Sequence, residues 1–282
     1  MRKKQKKEIG SNKNDRKQLD SALERYYALG KERDRLSSAS LEKDRTLRIL
    51  KREMPLPPAK ILDIGGAYGV YAFPLAALGY EVHLIDPIPI HIEQAQEYAK
   101  NFPSIELASY SVGDARKITR EDNSVDAILF FGPLYHLVKS DDRLKALSEA
   151  YRTLKQGGIL FVAAISRFQS FIDNMHKGVI YSKTELVKQD FLTGLHLSEN
   201  SKMFLYFHHP QELKEELKES GFTDVSLIGI EGPVWHHDLV QNLQNDRKKW
   251  EQLLDLLELI EKEETIIGAS AHIMAIARKE KQ

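Results

Sequence analysis

Apolar and polar positions change period along this chain. From Leu19 to Glu53 the apolar residues Leu19, Leu23, Tyr26, Tyr27 and then Leu41, Leu47, Ile49 and Leu50 recur at roughly helical spacing, which predicts a helical segment. Met54-Pro55-Leu56-Pro57-Pro58 ends it, because proline removes a backbone donor and restrains its predecessor. Short apolar runs of strand length follow at Lys60 to Ile64, Glu81 to Asp86, Val125 to Phe131, Ile159 to Ile165, Val225 to Ile230 and His272 to Ala277. Helical patterns lie between them, starting near Tyr68, Ile90 and Asp141. In the third of these, Ser140 is the predicted N-cap, Leu144, Leu147, Tyr151 and Leu154 share a face, and Gly157-Gly158 stops the helix. Pro210 opens a short helix that Gly221 closes, and Leu239, Leu243, Trp250, Leu254 and Leu257 describe one further amphipathic helix.

Strands alternating with helices predict an α/β fold, a parallel sheet covered on both faces. The segment 166–209 breaks the rhythm; a stretch of that length in a compact domain reads as a lid or substrate-binding insertion. The organisation expected is a disordered basic tail over 1–17, a helical cap over 18–57 and one main domain over 58–282. Within that domain 166–209 is the lid and 234–267 a helical elaboration.

Composition narrows the function by exclusion. The 282 residues are 42% hydrophobic and 29% charged, ordinary for a soluble globular chain. Lys plus Arg and Asp plus Glu are 41 each, so no global field draws in nucleic acid or an anionic membrane. The tail carries Arg2, Lys3, Lys4, Lys6 and Lys7 and reads as solubilising, with a nucleic-acid arm as the weaker reading. The absence of cysteine removes disulfides, thiolate metal sites and cysteine nucleophiles together. No apolar run reaches the roughly 18 residues of a membrane span, and the expected location is cytoplasmic.

The informative segment is Ile61-Leu62-Asp63-Ile64-Gly65-Gly66-Ala67-Tyr68-Gly69, followed by a helix and by Val82-His83-Leu84-Ile85-Asp86. A strand ending in glycines that turns into a helix offers bare backbone and unpaired amides to a ligand. Asp86, at the end of the second strand, stands where a carboxylate accepts ribose hydroxyls; its competing role is to cap the helix after Pro87. Dinucleotide-binding domains use a similar turn, so these residues by themselves leave a nicotinamide-dependent oxidoreductase open. Three further elements follow in order: Gly113-Asp114-Ala115, the strand Ser124 to Phe131 leading into Gly132-Pro133-Leu134-Tyr135-His136-Leu137, and Leu154-Lys155-Gln156-Gly157-Gly158-Ile159-Leu160.

This ordered set resembles the class I S-adenosylmethionine-dependent methyltransferases, small-molecule branch, over about residues 58 to 165. The resemblance implies a Rossmann-like, doubly wound, mostly parallel seven-stranded sheet with an antiparallel last strand. It also implies S-adenosyl-L-methionine as cofactor and a methyl transfer to oxygen or nitrogen of a small-molecule acceptor, with an RNA or protein acceptor as the alternative. Carried over, Gly65, Gly66 and Gly69 form the loop under the methionine moiety and Asp63 supports it. Asp86 takes the ribose, Asp114 and the amide of Ala115 the adenine, and Phe130 or Phe131 meets the donor. Ala67 departs from the family's usual glycine. Related enzymes close an N-terminal helix over the cofactor, which makes Tyr26 and Arg35 candidates; solvated helix residues are the competing description.

His136 and Tyr135 follow the fourth strand, where the carboxyl ends of a parallel sheet open into the ligand crevice. An imidazole there is the candidate base for an acceptor proton, against a histidine satisfied by its neighbours, and Tyr135 is the other polar contact. The pairs His208-His209 and His236-His237 raise metal binding, but adjacent residues of an extended chain point to opposite sides and no acidic partner stands at ligand spacing. No metal is expected.

Overall fold

In the computed structural model, residues 40–198, 203–235 and 238–281 are described. The tail 1–17, Tyr26 and Arg35 lie outside the described residues, and the cap is described from α1 (Ser40–Glu53) onward.

The sheet is built from β1 (Lys60–Ile64), β2 (Glu81–Asp86), β3 (Ser109–Val112), β4 (Val125–Phe130), β5 (Leu154–Ser166), β8 (Thr223–Gly229) and β9 (His272–Arg278). Its order is β3-β2-β1-β4-β5-β9-β8, with β1 to β5 mutually parallel and β9 antiparallel to both neighbours. These are the seven strands that the resemblance implies. Two more, β6 (Leu195–Leu197) and β7 (Phe204–His208), form an antiparallel hairpin, and β7 pairs with β5 through Ile165 and Ser166.

Central strands read as near-continuous apolar runs because both faces are covered. On one face α1, α2 (Ala72–Ala77) and α3 (Pro89–Ala99) bury Ile49, Leu50, Phe73, Leu75 and Ile92 against Ile61, Val82, Leu84 and Leu129. On the other, α5 (Ser140–Thr153) and α8 (Pro210–Glu219) bury Leu147, Leu213 and Leu217 against Leu62, Phe130, Leu160 and Ala275. The strand order reverses between β1 and β4, and at such a switch point adjacent crossovers diverge and leave a crevice above the carboxyl ends.

Several boundaries differ from the sequence expectation for local reasons. The first helix starts at Ala72, since Gly66 to Tyr71 form a turn closed by Gly69 N–H to Gly66 O at 2.8 Å. α5 has Lys139 as N-cap with no side-chain hydrogen bond, and Ser140 is already helical. The single helix expected over Leu239 to Leu257 is two, α9 (Asp238–Leu243) and α10 (Arg247–Ile260), because Asp246 caps the second by accepting from Lys249 N–H. The stretch 166–209 contains α6 (Gln169–His176), α7 (Thr184–Thr193) and the β6–β7 hairpin. α8 behaves as the sequence predicts: Pro210 occupies its first turn, and His209 forms a capping box with Glu212.

Candidate active site

The turn after β1 is shaped from within. Gly65 (φ +73°) and Gly69 (φ +91°) occupy the left-handed region that glycine tolerates. A Cβ on Gly66 would stand 2.5 Å from both Asp63 Oδ2 and Leu84 Cδ1, and one on Gly65 would meet Pro133 at 3.0 Å. The glycines therefore let β1, β4 and the turn close on one another. Ala67, at φ +49°, carries a Cβ in a conformation that costs an L-residue about 1–2 kcal/mol. Its amide donates to Asp86 Oδ2 at 2.9 Å, which helps to hold it there. Gly66→Ala is expected to lower stability by about 1–3 kcal/mol through overpacking, read as a shift of the urea midpoint at constant m.

Asp63 is the anomaly of the site. It is fully buried at the end of β1, and neither carboxyl oxygen has a hydrogen-bond partner among the described residues. Burial first, and the charge of Asp86 second, push its carboxyl up to about 7. An unpartnered carboxyl beneath the glycine turn suits a ligand carrying positive charge.

Asp86 is 3% exposed and already engaged. Oδ2 accepts from Ala67 N–H, while Oδ1 accepts from Ile88 N–H and meets His91 Nδ1, each at 2.9 Å. The capping role and the turn-holding role thus coexist in one carboxylate, and the ribose role assigned by resemblance falls to whatever acceptor capacity remains. Asp114 likewise has a partner: Arg116 donates to it through its backbone N–H at 2.8 Å and its guanidinium down to 2.6 Å. Burial works to raise the Asp114 carboxyl, and Arg116 outweighs it and holds it below the usual carboxylate range. Ala115 is buried in the core cluster on the α5 side. An adenine amine at Asp114 would share the carboxylate with Arg116.

The Phe130-Phe131 pair separates. Phe130 is fully buried in the core under α5 and α8, so its side chain faces away from the crevice and only its backbone remains for the donor. Phe131 is half-buried on the opposite face and packs edge-on against Tyr71 at 5.2 Å. Next comes the single-turn α4 (Pro133–His136), packed on β7. Tyr135 donates its hydroxyl proton to Phe131 O at 2.8 Å, and its ring lies 4.6 Å from that of His136.

A polar network behind α4 escaped the sequence reading. Arg143, in the first turn of α5, donates to Leu137 O and Val138 O at 3.1 Å and grips Glu216 at 2.6 Å. Its guanidinium lies 3.6 Å over the Tyr206 ring. Burial opposes ionisation of Glu216, but His208 and Arg143 together bring its carboxyl down to about 2. The signal was present: Arg143 lines up with Ala146, Leu147 and Ala150, and Glu216 sits beside Leu213 and Leu217, each on the inward face of its helix.

The aromatic residues of the insertion divide. Phe168 and Phe171 line an open groove of about 830 Å³ between α6, the start of α8 and β8, together with His209 and Lys214. That groove is at the β8 edge, away from the β1–β4 switch point, so these two phenylalanines do not cover the crevice. Tyr206 and Phe207 lie in β7 beside α4. Among the described residues no helix is long and apolar enough to cross a membrane.

Comparison with known proteins agrees with this geometry. Residues 61–158 match the family model described as a methyltransferase domain. A mitochondrial 2-methoxy-6-polyprenyl-1,4-benzoquinol methylase of Oryza sativa is 25% identical over 212 residues, 66% of this chain and 70% of that protein. A ubiquinone biosynthesis O-methyltransferase of Methylocella silvestris is 33% identical over 114 residues, covering 40% of this chain and only 42% of that protein. Among solved structures, a SAM-dependent methyltransferase of Methanosarcina mazei shares the fold at TM-score 0.57 and 17% identity, over 83% of this chain and 98% of that one. The antiparallel β9 between β5 and β8 also separates this sheet from the all-parallel dinucleotide domains that use a similar glycine turn. By motif order, sheet topology and family match, residues 61–158 form a methyltransferase domain, carried on the fold of the S-adenosylmethionine-dependent enzymes.

Proposed function

We propose that this chain transfers a methyl group to an oxygen or nitrogen atom of a small-molecule acceptor held above the ends of β4 and β5. The observation that carries the reading is the position of β7. It pairs with the last two residues of β5 and packs on α4, so protein covers the space beside Tyr135 and His136 that a macromolecular acceptor would need open. The zero net charge argues the same way, since binding of nucleic acid rests on phosphate neutralisation by basic surface. The rice and Methylocella relatives, named for benzoquinol and ubiquinone chemistry, support a small acceptor.

The bound cofactor supplies an electrophilic methyl group on a sulfonium, and the remaining work falls to this chain. The turn after β1 and the Asp63 carboxyl would hold the charged donor, with the backbone of Phe130 and Phe131 bordering it. Tyr135, anchored through its hydroxyl on Phe131 O, borders the acceptor and orients it. His136 takes the proton released on transfer. Orientation is the dominant contribution, about 7–11 kcal/mol for well-aligned reactants, while a general base adds about 10²- to 10⁴-fold.

His136→Ala should therefore lower kcat about 10²-fold near neutral pH, with cofactor affinity unchanged and part of the rate regained at high pH as solvent base accumulates. Full turnover across the pH range would remove His136 from the reaction. Radiolabelled S-adenosylmethionine offered with phenols, catechols, primary amines and transfer RNA in parallel tests the acceptor class. Labelling of RNA alone would overturn the reading.

A further inference from the structure

We propose that Glu42, Glu231 and His272 form a site for one divalent transition-metal ion of the zinc type, which fastens the first turn of α1 to the ends of β8 and β9. The three residues are far apart in sequence and converge from different elements. Glu42 lies in the first turn of α1, Glu231 follows β8, and His272 opens β9. One ligand atom from each lies within 4.8 Å of the others. His272 Nδ1 is 2.5 Å from Glu231 Oε1 and 3.8 Å from Glu42 Oε2. Around zinc, with bonds of about 2.0–2.2 Å to nitrogen and oxygen, tetrahedral ligand atoms stand roughly 3.3 Å apart. The two separations from His272 bracket that value, and all three ligand atoms lie close enough for small side-chain movements to admit the ion.

Two features of Glu231 distinguish this cluster from surface acids. It is 4% exposed, and among the described residues its cationic partner is His272, charged only when protonated, while no lysine or arginine reaches it, the nearby Arg45 being paired with Glu261. A buried carboxylate without a fixed cation beside it costs several kcal/mol unless a counter-charge is supplied. Its other oxygen, Oε2, is held by Ser270 Oγ at 2.7 Å and His272 N–H at 3.0 Å. Such outer partners fix the orientation of a ligating carboxylate and leave Oε1 aimed into the cluster. One imidazole and two carboxylates, with no thiolate, suit zinc or a neighbouring first-row ion, and three protein ligands leave a position open to water.

The site is separate from the glycine turn. β5 and β4 stand between β9 and β1, a lateral distance of roughly 14 Å at the usual strand spacing. Its predicted effect is on the attachment of the cap helix.

The test is calorimetric titration of chelator-stripped full-length protein with zinc chloride, alongside thermal unfolding with and without the ion. The expected result is one ion bound per chain and an upward shift of Tm by several degrees. Glu42→Gln should weaken binding at least tenfold, His272→Ala should abolish both effects, and His209→Ala, outside the cluster, should leave them intact. Glu42→Gln alters a partly exposed helix-start residue and decides the matter if His272→Ala does not fold. The proposal is overturned if the wild type takes up no stoichiometric zinc, which would leave a proton on His272 as the bridge between the two carboxylates. It is equally overturned if Glu42→Gln and His272→Ala bind as the wild type does.

Discussion

Asp63→Asn is expected to abolish a loss of stability of about 4 kcal/mol that the ligand-free wild type undergoes between about pH 4 and pH 7. The Asp63 carboxyl is raised from 3.8 to about 7, first by burial and then by Asp86. Each unit corresponds to about 1.4 kcal/mol between the protonated and ionised forms, and the figure is of that order. The direction follows from proton counting. Between the two values the folded chain keeps a proton that the unfolded chain has released, so stability falls as pH rises, and the full penalty is in place above about pH 7. Asparagine carries no proton to lose, so urea midpoints measured at pH 5 and pH 8 should differ less in the variant. Its amide brings buried donors of its own, and an unmet donor costs about 1–3 kcal/mol. The variant is therefore expected to be the less stable at pH 5 and to match or exceed the wild type at pH 8. The same carboxyl predicts a ligand signature. Binding a positively charged group next to Asp63 should ionise it, releasing close to one proton at pH 6, seen by calorimetry in buffers of different ionisation enthalpy. Asp63→Asn should release none. A wild type with a flat stability profile and proton-neutral binding would place the carboxyl in some other environment.

Much of the architecture could be read in advance because the relevant physics is local. Parallel strands covered on both faces must be apolar at nearly every position, and Ile61 to Ile64, Val82 to Ile85 and Ala127 to Phe130 meet that condition. Helix starts were legible where proline occupies the first turn, as at Pro210, and misread where the backbone does the work, as at Lys139. The glycine turn was found by composition, but its internal reason, the approach of β4 through Pro133, depends on contacts between residues nearly seventy positions apart. Phe130 and Phe131 were interchangeable in sequence because alternation along a strand assigns opposite faces without saying which one meets the crevice. The clusters around Arg143 and His272 were missed for a related reason. Their members come from three or more elements each, and a charged residue on the inward face of a helix reads as an exception until its partner is located.

The second large effect is expected at Arg45, where α1 meets α10. Arg45 has no exposed surface. Nε donates to Ile230 O at 3.0 Å, Nη1 to Leu254 O at 3.5 Å, and Nη2 pairs with the buried Glu261. Glu261 is in turn held by Arg52 at 2.5 Å, and its carbonyl accepts from Gly229 N–H at 2.8 Å. One guanidinium thereby ties the cap helix to the end of β8 and to the last turns of α10. Arg45→Ala should cost about 3–5 kcal/mol, because it leaves a buried carboxylate short of a counter-charge and two carbonyls without a donor. At Arg48 the geometry is superficially alike, with Asp255 at 2.6 Å and Glu251 also paired, but that side chain is partly in water. Arg48→Ala should cost no more than about 1 kcal/mol, since exposed pairs gain little over hydration. Chemical denaturation of the two variants side by side checks the contrast. Arg45→Met combined with Glu261→Gln should recover most of the loss, since removing both charges also removes the desolvation that made the single change expensive. Equal, small effects at Arg45 and Arg48 would mean that α1 is held by its apolar face of Ile49 and Leu50, with the buried ion pair contributing nothing measurable.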